Sequence, residues 1–343
     1  MEGDAGFSDG LQSRQLRHLM TPAPLVSIRD LRVTFHGLPA LRGIDLDVAP
    51  GEGIGLVGES GCGKSVTWLA ALGLLPATAS VTGSVTLDGQ ELLAAPPSVL
   101  DHVRGGRVAM IFQDPASALN PVKRVGVQVA EALRLHRGLT GGAAGAEVLR
   151  LFDQVGIPDA RRRVHIYPHE MSGGQNQRVM IAMALAGQPE LLVADEPTTS
   201  LDATIQAQIL DLLRRLQLET GMALVLISHD LGVVAEMCRR VCVMYAGRIV
   251  EQAPSDTLFA NPRHPYTTGL LAALPEMVGP KRRLEAIPGG VPEPWNMPPG
   301  CAFAPRCAHA SPECDAAIPG FAPVGPDHEA ACVHLEATAM VSA

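Results

Sequence analysis

Gly58-Glu59-Ser60-Gly61-Cys62-Gly63-Lys64-Ser65 decides the fold. The octapeptide satisfies G-x-x-x-x-G-K-[ST] in full, follows an apolar stretch (Gly53–Val57) that reads as a strand, and opens a helix from about Lys64. Glycines at these positions let successive backbone N–H groups turn inward as an anion nest at the positive end of a helix dipole. Lys64 is placed to reach the β- and γ-phosphates of a nucleotide, and Ser65 to bind Mg²⁺. The plain alternative is a Gly-rich turn that merely contains a lysine. The complete motif in its strand–loop–helix setting argues against it.

Two further apolar runs end in polar residues. Leu191-Leu192-Val193-Ala194 leads into Asp195-Glu196, and Ala223–Ile227 leads into Ser228-His229-Asp230. Asp195 suits a Mg²⁺-holding carboxylate and Glu196 a group that orients and polarises the attacking water. Three continuous apolar runs predict buried parallel strands of an α/β fold, with ligand chemistry just past their carboxyl ends. That convergence predicts a nucleotide hydrolase.

The rest of the chain is consistent with this core. Of 343 residues 47% are hydrophobic but only 3% aromatic, so the core is aliphatic. A net charge of −8 with no long basic run weighs against a nucleic-acid partner. No apolar run approaches the length of a membrane span, and the first twenty residues do not resemble a secretory signal. The expectation is a cytosolic protein with a disordered tail over 1–24, in which Met20 is a candidate alternative start.

Alternation in VSIRDLRVTF and LRGIDLDV, around a turn at His36–Gly37, predicts an antiparallel, half-exposed β subdomain at the N-terminal end. Amphipathic pieces such as VGVQVAEALRLH predict a helical subdomain over about 115–186. Beyond about Asn261 Pro and Gly become dense. The predicted division is an ATP-binding domain over 25–262 and a small, loop-rich module over 263–343. Of seven cysteines, Cys301, Cys307, Cys314 and Cys332 crowd into that module, where a metal site is expected before disulfides. Four thiolates suit zinc or an iron–sulfur cluster. Cys62, beside Lys64 and a helix N-terminus, is expected to have a lowered pKa and to be reactive.

Met171-Ser172-Gly173-Gly174-Gln175, followed by Asn176-Gln177-Arg178, discriminates among nucleotide hydrolases. Here the chain resembles the ABC ATPase family, whose signature is LSGGQ, with Met171 a volume-conserving exchange. The resemblance covers roughly Val26 to Asn261 and implies a RecA-like core with antiparallel and helical subdomains. It also implies roles: Gln113 as the Q-loop residue contacting Mg²⁺ and water, Asp202 in a D-loop (Ser200-Leu201-Asp202), His229 as the histidine on the γ-phosphate, and Phe35, 29 residues before Lys64, stacking on adenine. Two cassettes would meet head to tail. Ser172, Gly173, Gly174 and Gln175 of one would then complete the ATP site of the other, so a second and similar ATPase chain is expected.

MIFQDPASALNP (110–121), YPHEMSGGQ (167–175) and His264-Pro265-Tyr266-Thr267 resemble peptide and nickel importer ATPases in particular. The cysteine module resembles the C-terminal domain of oligopeptide/dipeptide ATPases. That resemblance, not the spacing, favours a [4Fe–4S] cluster over zinc on Cys301, Cys307, Cys314 and Cys332. The function so implied is ATP-driven import of di- or oligopeptides, at the cytoplasmic face of the cell membrane, with two permease subunits and an extracytoplasmic binding protein. Nickel complexes or glutathione are alternative cargoes. A soluble, non-transport ABC ATPase is the other class; such proteins typically fuse two cassettes or insert coiled-coil arms, and this chain has neither.

Overall fold

The computed structural model describes residues 23–114, 118–199, 201–273 and 286–335. The expected tail lies outside them except for its last two residues, as do Met20, Ser200 and stretches of the Q-loop and terminal module.

Alternation builds the first sheet as expected. In β1 (Val26–Phe35), Val26, Ile28, Leu31 and Val33 are buried while Arg29, Asp30 and Arg32 face solvent. β1 pairs antiparallel with β2 (Leu38–Val48) across a turn at His36 and Gly37, both at positive φ as a two-residue hairpin requires. On its other side β1 pairs with β4 (Ala79–Leu87), which pairs with the short β5 (Gln90–Glu91).

The second sheet has the order β11-β12-β10-β9-β3-β8-β7-β6. Its parallel part consists of β9 (Arg240–Tyr245), β3 (Gly53–Val57), β8 (Ala223–Ser228), β7 (Leu191–Asp195) and β6 (Val108–Ile111). The three strands singled out from sequence are therefore adjacent. Both faces are covered, which is why their sequences are continuously apolar. Leu191, Val193, Val225 and Ile227 pack with Ile28, Leu31 and Trp68 towards the antiparallel sheet. Leu192, Ala194, Leu224 and Leu226 pack with Leu212, Leu213 and Leu216 of the helix Ala203–Thr220. The predicted helical segment holds the helices Val125–Arg137, Gly141–Gln154 and Gly173–Leu185, which share buried Leu133, Val148, Leu151, Phe152 and Ile181.

The terminal module is more closely joined to the core than its composition suggests. β10 (Arg248–Pro254) turns back from β9, and β12 (His328–Ala330) pairs with β10, with β11 (Ala322–Gly325) beyond it. Glu251, fully buried on β10, accepts hydrogen bonds from the Arg263 N–H (2.7 Å), the His264 N–H (2.9 Å) and His328 Nε2 (2.8 Å). Strands of three and four residues carry too little periodicity to be read from sequence.

Candidate active site

The glycine-rich loop takes the conformation its residues predict. Gly58, Gly61 and Gly63 have φ of 150°, 77° and 108°. Close approach adds to this requirement: a Cβ on Gly58 would lie 2.2 Å from Met244 O, and one on Gly63 2.6 Å from Leu41 Cδ2. Lys64, only 5% exposed, donates from Nζ to the carbonyls of Gly58 (2.8 Å) and Glu59 (3.0 Å). Its ammonium thus sits over the loop, held by weak acceptors that phosphate oxygens can replace.

Asp195 ends β7 beside Ser65 in the first turn of the helix Lys64–Ala71. Burial pushes the Asp195 carboxyl above the usual range and the Glu196 charge adds to this, while a hydrogen bond from Ser65 and the Lys64 charge pull it down. A buried carboxylate paired with a hydroxyl is a hard-oxygen donor set, which suits Mg²⁺.

Glu196 is the meeting point. Its φ of 46° is in the left-handed region, held where its N–H donates to Ile227 O at 2.9 Å. Its Oε2 accepts from Gln113 Nε2 (3.0 Å) and Thr199 Oγ1 (2.9 Å), and His229 Nδ1 stands 3.4 Å away. Gln113 follows β6 and His229 follows β8, so three strand ends converge on one carboxylate. Such a group can orient and polarise a water molecule. Thr199 was not singled out from sequence. Its signal, a hydroxyl three residues past the acid, is too common to stand out.

The other expected residues lie elsewhere. Ser172 and Gln175 form a capping box on the helix Gly173–Leu185, each side chain accepting from the other's backbone N–H. Gly174 packs on the next helix, where a Cβ would lie 2.6 Å from Ile205 Cγ2, and Asp202 caps that helix through the Thr204 and Ile205 N–H groups. No hydrogen bond joins this group to the phosphate loop among the described residues, and Ser172 and Gly173 are exposed. Phe35 is half-buried at the end of β1, opposite Leu38 and Ala79.

Cys62 does not behave as expected. It is fully buried under the loop, and desolvation raises its thiol pKa more than the Lys64 charge lowers it. The expectation of a lowered pKa rests on the neighbouring cation, and burial outweighs it.

Cys301, Cys307, Cys314 and Cys332 line one small cavity together with His264, Phe303 and His334. Yet among the described residues no three His, Cys, Asp or Glu side chains are gathered as ligands of a metal ion. Burial raises the Cys301, Cys307 and Cys332 thiols, the last to about 11, and charge on neighbouring cysteines adds to the rise.

Comparisons with known proteins supply the family. Residues 41–199 match the family model described as ABC transporter, and residues 250–314 match that of the oligopeptide/dipeptide transporter C-terminal region. A Brucella ovis protein named "Putative peptide import ATP-binding protein" is 48% identical over 334 residues, covering 92% of this chain and 99% of that one. A Brucella abortus (strain 2308) protein of the same designation is 51% identical, covering 85% and 90%. Among solved structures, cbiO1 of Clostridium perfringens, part of the ABC transporter complex cbiONQ, aligns with a TM-score of 0.61 at 27% identity, covering 69% of this chain and 91% of that one. The dimeric post-hydrolysis cassette MJ0796, bound to ADP and Pi, aligns at 0.60 and 26% identity, covering 67% and 98%.

Proposed function

The chain belongs to the ABC transporter ATP-binding family, in the branch carrying the oligopeptide/dipeptide transporter C-terminal region, and from that premise we propose that it hydrolyses ATP to drive import of di- or oligopeptides. The observation that carries the reading is the carboxylate of Glu196, shared by Gln113, Thr199 and His229 beside the phosphate loop.

In this reading the loop N–H groups and Lys64 hold the β- and γ-phosphates. Ser65, Asp195 and Gln113 would hold Mg²⁺, which would supply neutralisation of the phosphate charge. Glu196 orients a water and accepts its proton as the water oxygen attacks the γ-phosphorus. The β–γ bridging P–O bond breaks, its electrons staying with ADP, while His229 contacts the γ-phosphate. Phe35 stacks on adenine. Ser172, Gly173, Gly174 and Gln175 meet the ATP of a second cassette, and the exposure of Ser172 and Gly173 supports that assignment. The MJ0796 cassette is itself dimeric. The partner here is a second, similar ATPase chain.

Among the described residues no helix is long and apolar enough to cross a membrane. Permease subunits would hold the chain at the membrane's cytoplasmic face. An extracytoplasmic binding protein would deliver the cargo. The four thiols would hold a [4Fe–4S] cluster, a soft-ligand group that can cross-link the loops of the module or carry an electron. Their convergence on one cavity supports this. Zinc, which four thiolates also suit, is the alternative occupant.

The test is transport in reconstituted vesicles containing the chain, its partner ATPase and the co-purifying permeases, with ATP on the ATPase side and the binding protein with labelled peptide on the other. ATP-dependent movement of labelled peptide supports the reading. Movement of nickel complexes or glutathione instead, or ATP hydrolysis that never associates with permeases, overturns it.

A further inference from the structure

The phosphate loop is held from outside as well as from within. Arg306 lies on a short turn, Ala304–Arg306, in the terminal module, 247 residues from Glu59 in sequence. Its guanidinium donates from Nη1 to both Glu59 oxygens (3.0 and 3.1 Å) and to Tyr245 Oη (3.3 Å), and from Nε to Pro288 O (2.8 Å). The side chain is only 6% exposed. It stands 5.8 Å from the Tyr245 ring centre and 5.9 Å from that of Phe303. Tyr245, Tyr266 and Phe303 pack against one another with ring centres 4.6 to 5.4 Å apart, and Tyr266 Oη accepts from the Glu59 N–H at 2.9 Å.

Glu59 is therefore gripped at three points. Tyr266 holds its N–H, Lys64 its carbonyl and Arg306 its carboxylate. Two of those grips come from beyond residue 261. A carboxylate in a loop built to receive anions would repel the incoming phosphates, and a buried guanidinium cancels that charge. The Tyr266 hydroxyl also fixes the direction of one of the loop's N–H groups before nucleotide arrives.

We propose that Arg306 and Tyr266 are positioning residues for ATP binding, neutralising and orienting Glu59 so that the terminal module sets the affinity of the phosphate loop. The inference rests on the reading of 58–65 as the ATP site. Its expectation is a change in nucleotide affinity with little change in the chemical step.

ATP affinity and steady-state kinetics are measured on the full chain in complex with its partners for Arg306→Gln, Tyr266→Phe, Glu59→Gln, the double variant E59Q/R306Q, and Lys64→Ala. Arg306→Gln is expected to raise the KM and Kd for ATP roughly tenfold, the order produced by one uncompensated charge near a surface, with kcat within about twofold. The double variant is expected to return to within about threefold of the parent, because the charge needing cancellation is gone. Tyr266→Phe, which deletes one oxygen from a packed ring, tests the second grip and is expected to weaken ATP binding a few-fold. The proposal is overturned if folded Arg306→Gln binds ATP as the parent does. It is also overturned if folded Arg306→Gln loses ATP affinity and Glu59→Gln fails to restore it. If Arg306→Gln does not fold, parental affinity in Tyr266→Phe is sufficient to overturn it. Lys64→Ala separates the two readings: undiminished ATP binding there defeats the site assignment itself, whereas lost binding there with parental Arg306→Gln defeats only this inference.

Discussion

His229 Nδ1 stands 3.4 Å from Glu196 Oε2, bringing together the ends of two neighbouring parallel strands. The acid thus lies within reach of a group that can polarise it, and Gln113 and Thr199 fix its orientation. Replacing Glu196 with Gln keeps the shape and removes the proton acceptor. Turnover should fall at least ~100-fold, the usual scale for loss of an acid–base group, while ATP stays bound. Phosphate release and nucleotide retention measured on one sample check this; parental turnover would sink the assignment of Glu196.

Cys62 should resist modification in the folded protein. Iodoacetamide labelling followed by mass spectrometry should find it reacting at least tenfold more slowly than in denaturant, since a buried, protonated thiol must await opening. Labelling at the denatured rate would restore the expectation of a reactive thiol.

Acid should loosen the helical subdomain through Glu147. Hydrogen bonds from Arg150 and Arg137 hold its carboxyl down at about 2, against an ordinary value near 4.5. The folded pKa lies below the unfolded one, so the contribution is complete above about pH 4.5 and lost as pH falls through about 2. For a pair near the surface its size is about 1 kcal/mol or less. Glu147→Gln should be slightly less stable at pH 7 and show a shallower decline in acid, read from denaturation midpoints between pH 7 and 2. Parallel curves for the two proteins would contradict the assignment.

Glu251 should matter more than any surface ion pair. Its carboxylate serves two backbone N–H groups and His328 in full burial, so Glu251→Ala leaves three buried donors without an acceptor. Leaving a buried donor without its acceptor costs about 1–3 kcal/mol. Urea unfolding of the variant measures it; a loss under 1 kcal/mol would mean that water replaces the carboxylate.

The cysteine module has a direct chemical test. Chain purified without oxygen should carry four irons and four sulfides and absorb visible light, and Cys307→Ser should lose both. Stoichiometric zinc in their place would decide for the other metal.

Legibility followed the range of the interactions. Gly58–Ser65, Asp195-Glu196 and the strand positions of Leu191, Ala223 and Gly53 are local patterns, and the structure repeats them almost residue for residue. The hairpin at His36–Gly37 and the paired strands of VSIRDLRVTF followed from alternation. Contacts that close over long sequence separation were not legible. Neither Arg306 against Glu59 nor His328 against Glu251 leaves a mark in spacing. The Cys62 error has the same origin, since Lys64 is visible beside it in sequence while the burial around it is assembled from distant segments.

The three residues of β12 have a consequence for how this chain could have been put together. Without them β10 would be the outer strand of the sheet, offering the backbone of Val250 and Gln252 to any passing chain. A cassette cut at about residue 262 would be not a smaller transporter engine but a sticky one, prone to join its own copies edge to edge. The terminal segment is thus less a cargo hung on a finished motor than part of the motor's casing, and exchanging it between relatives would require exchanging β10 with it.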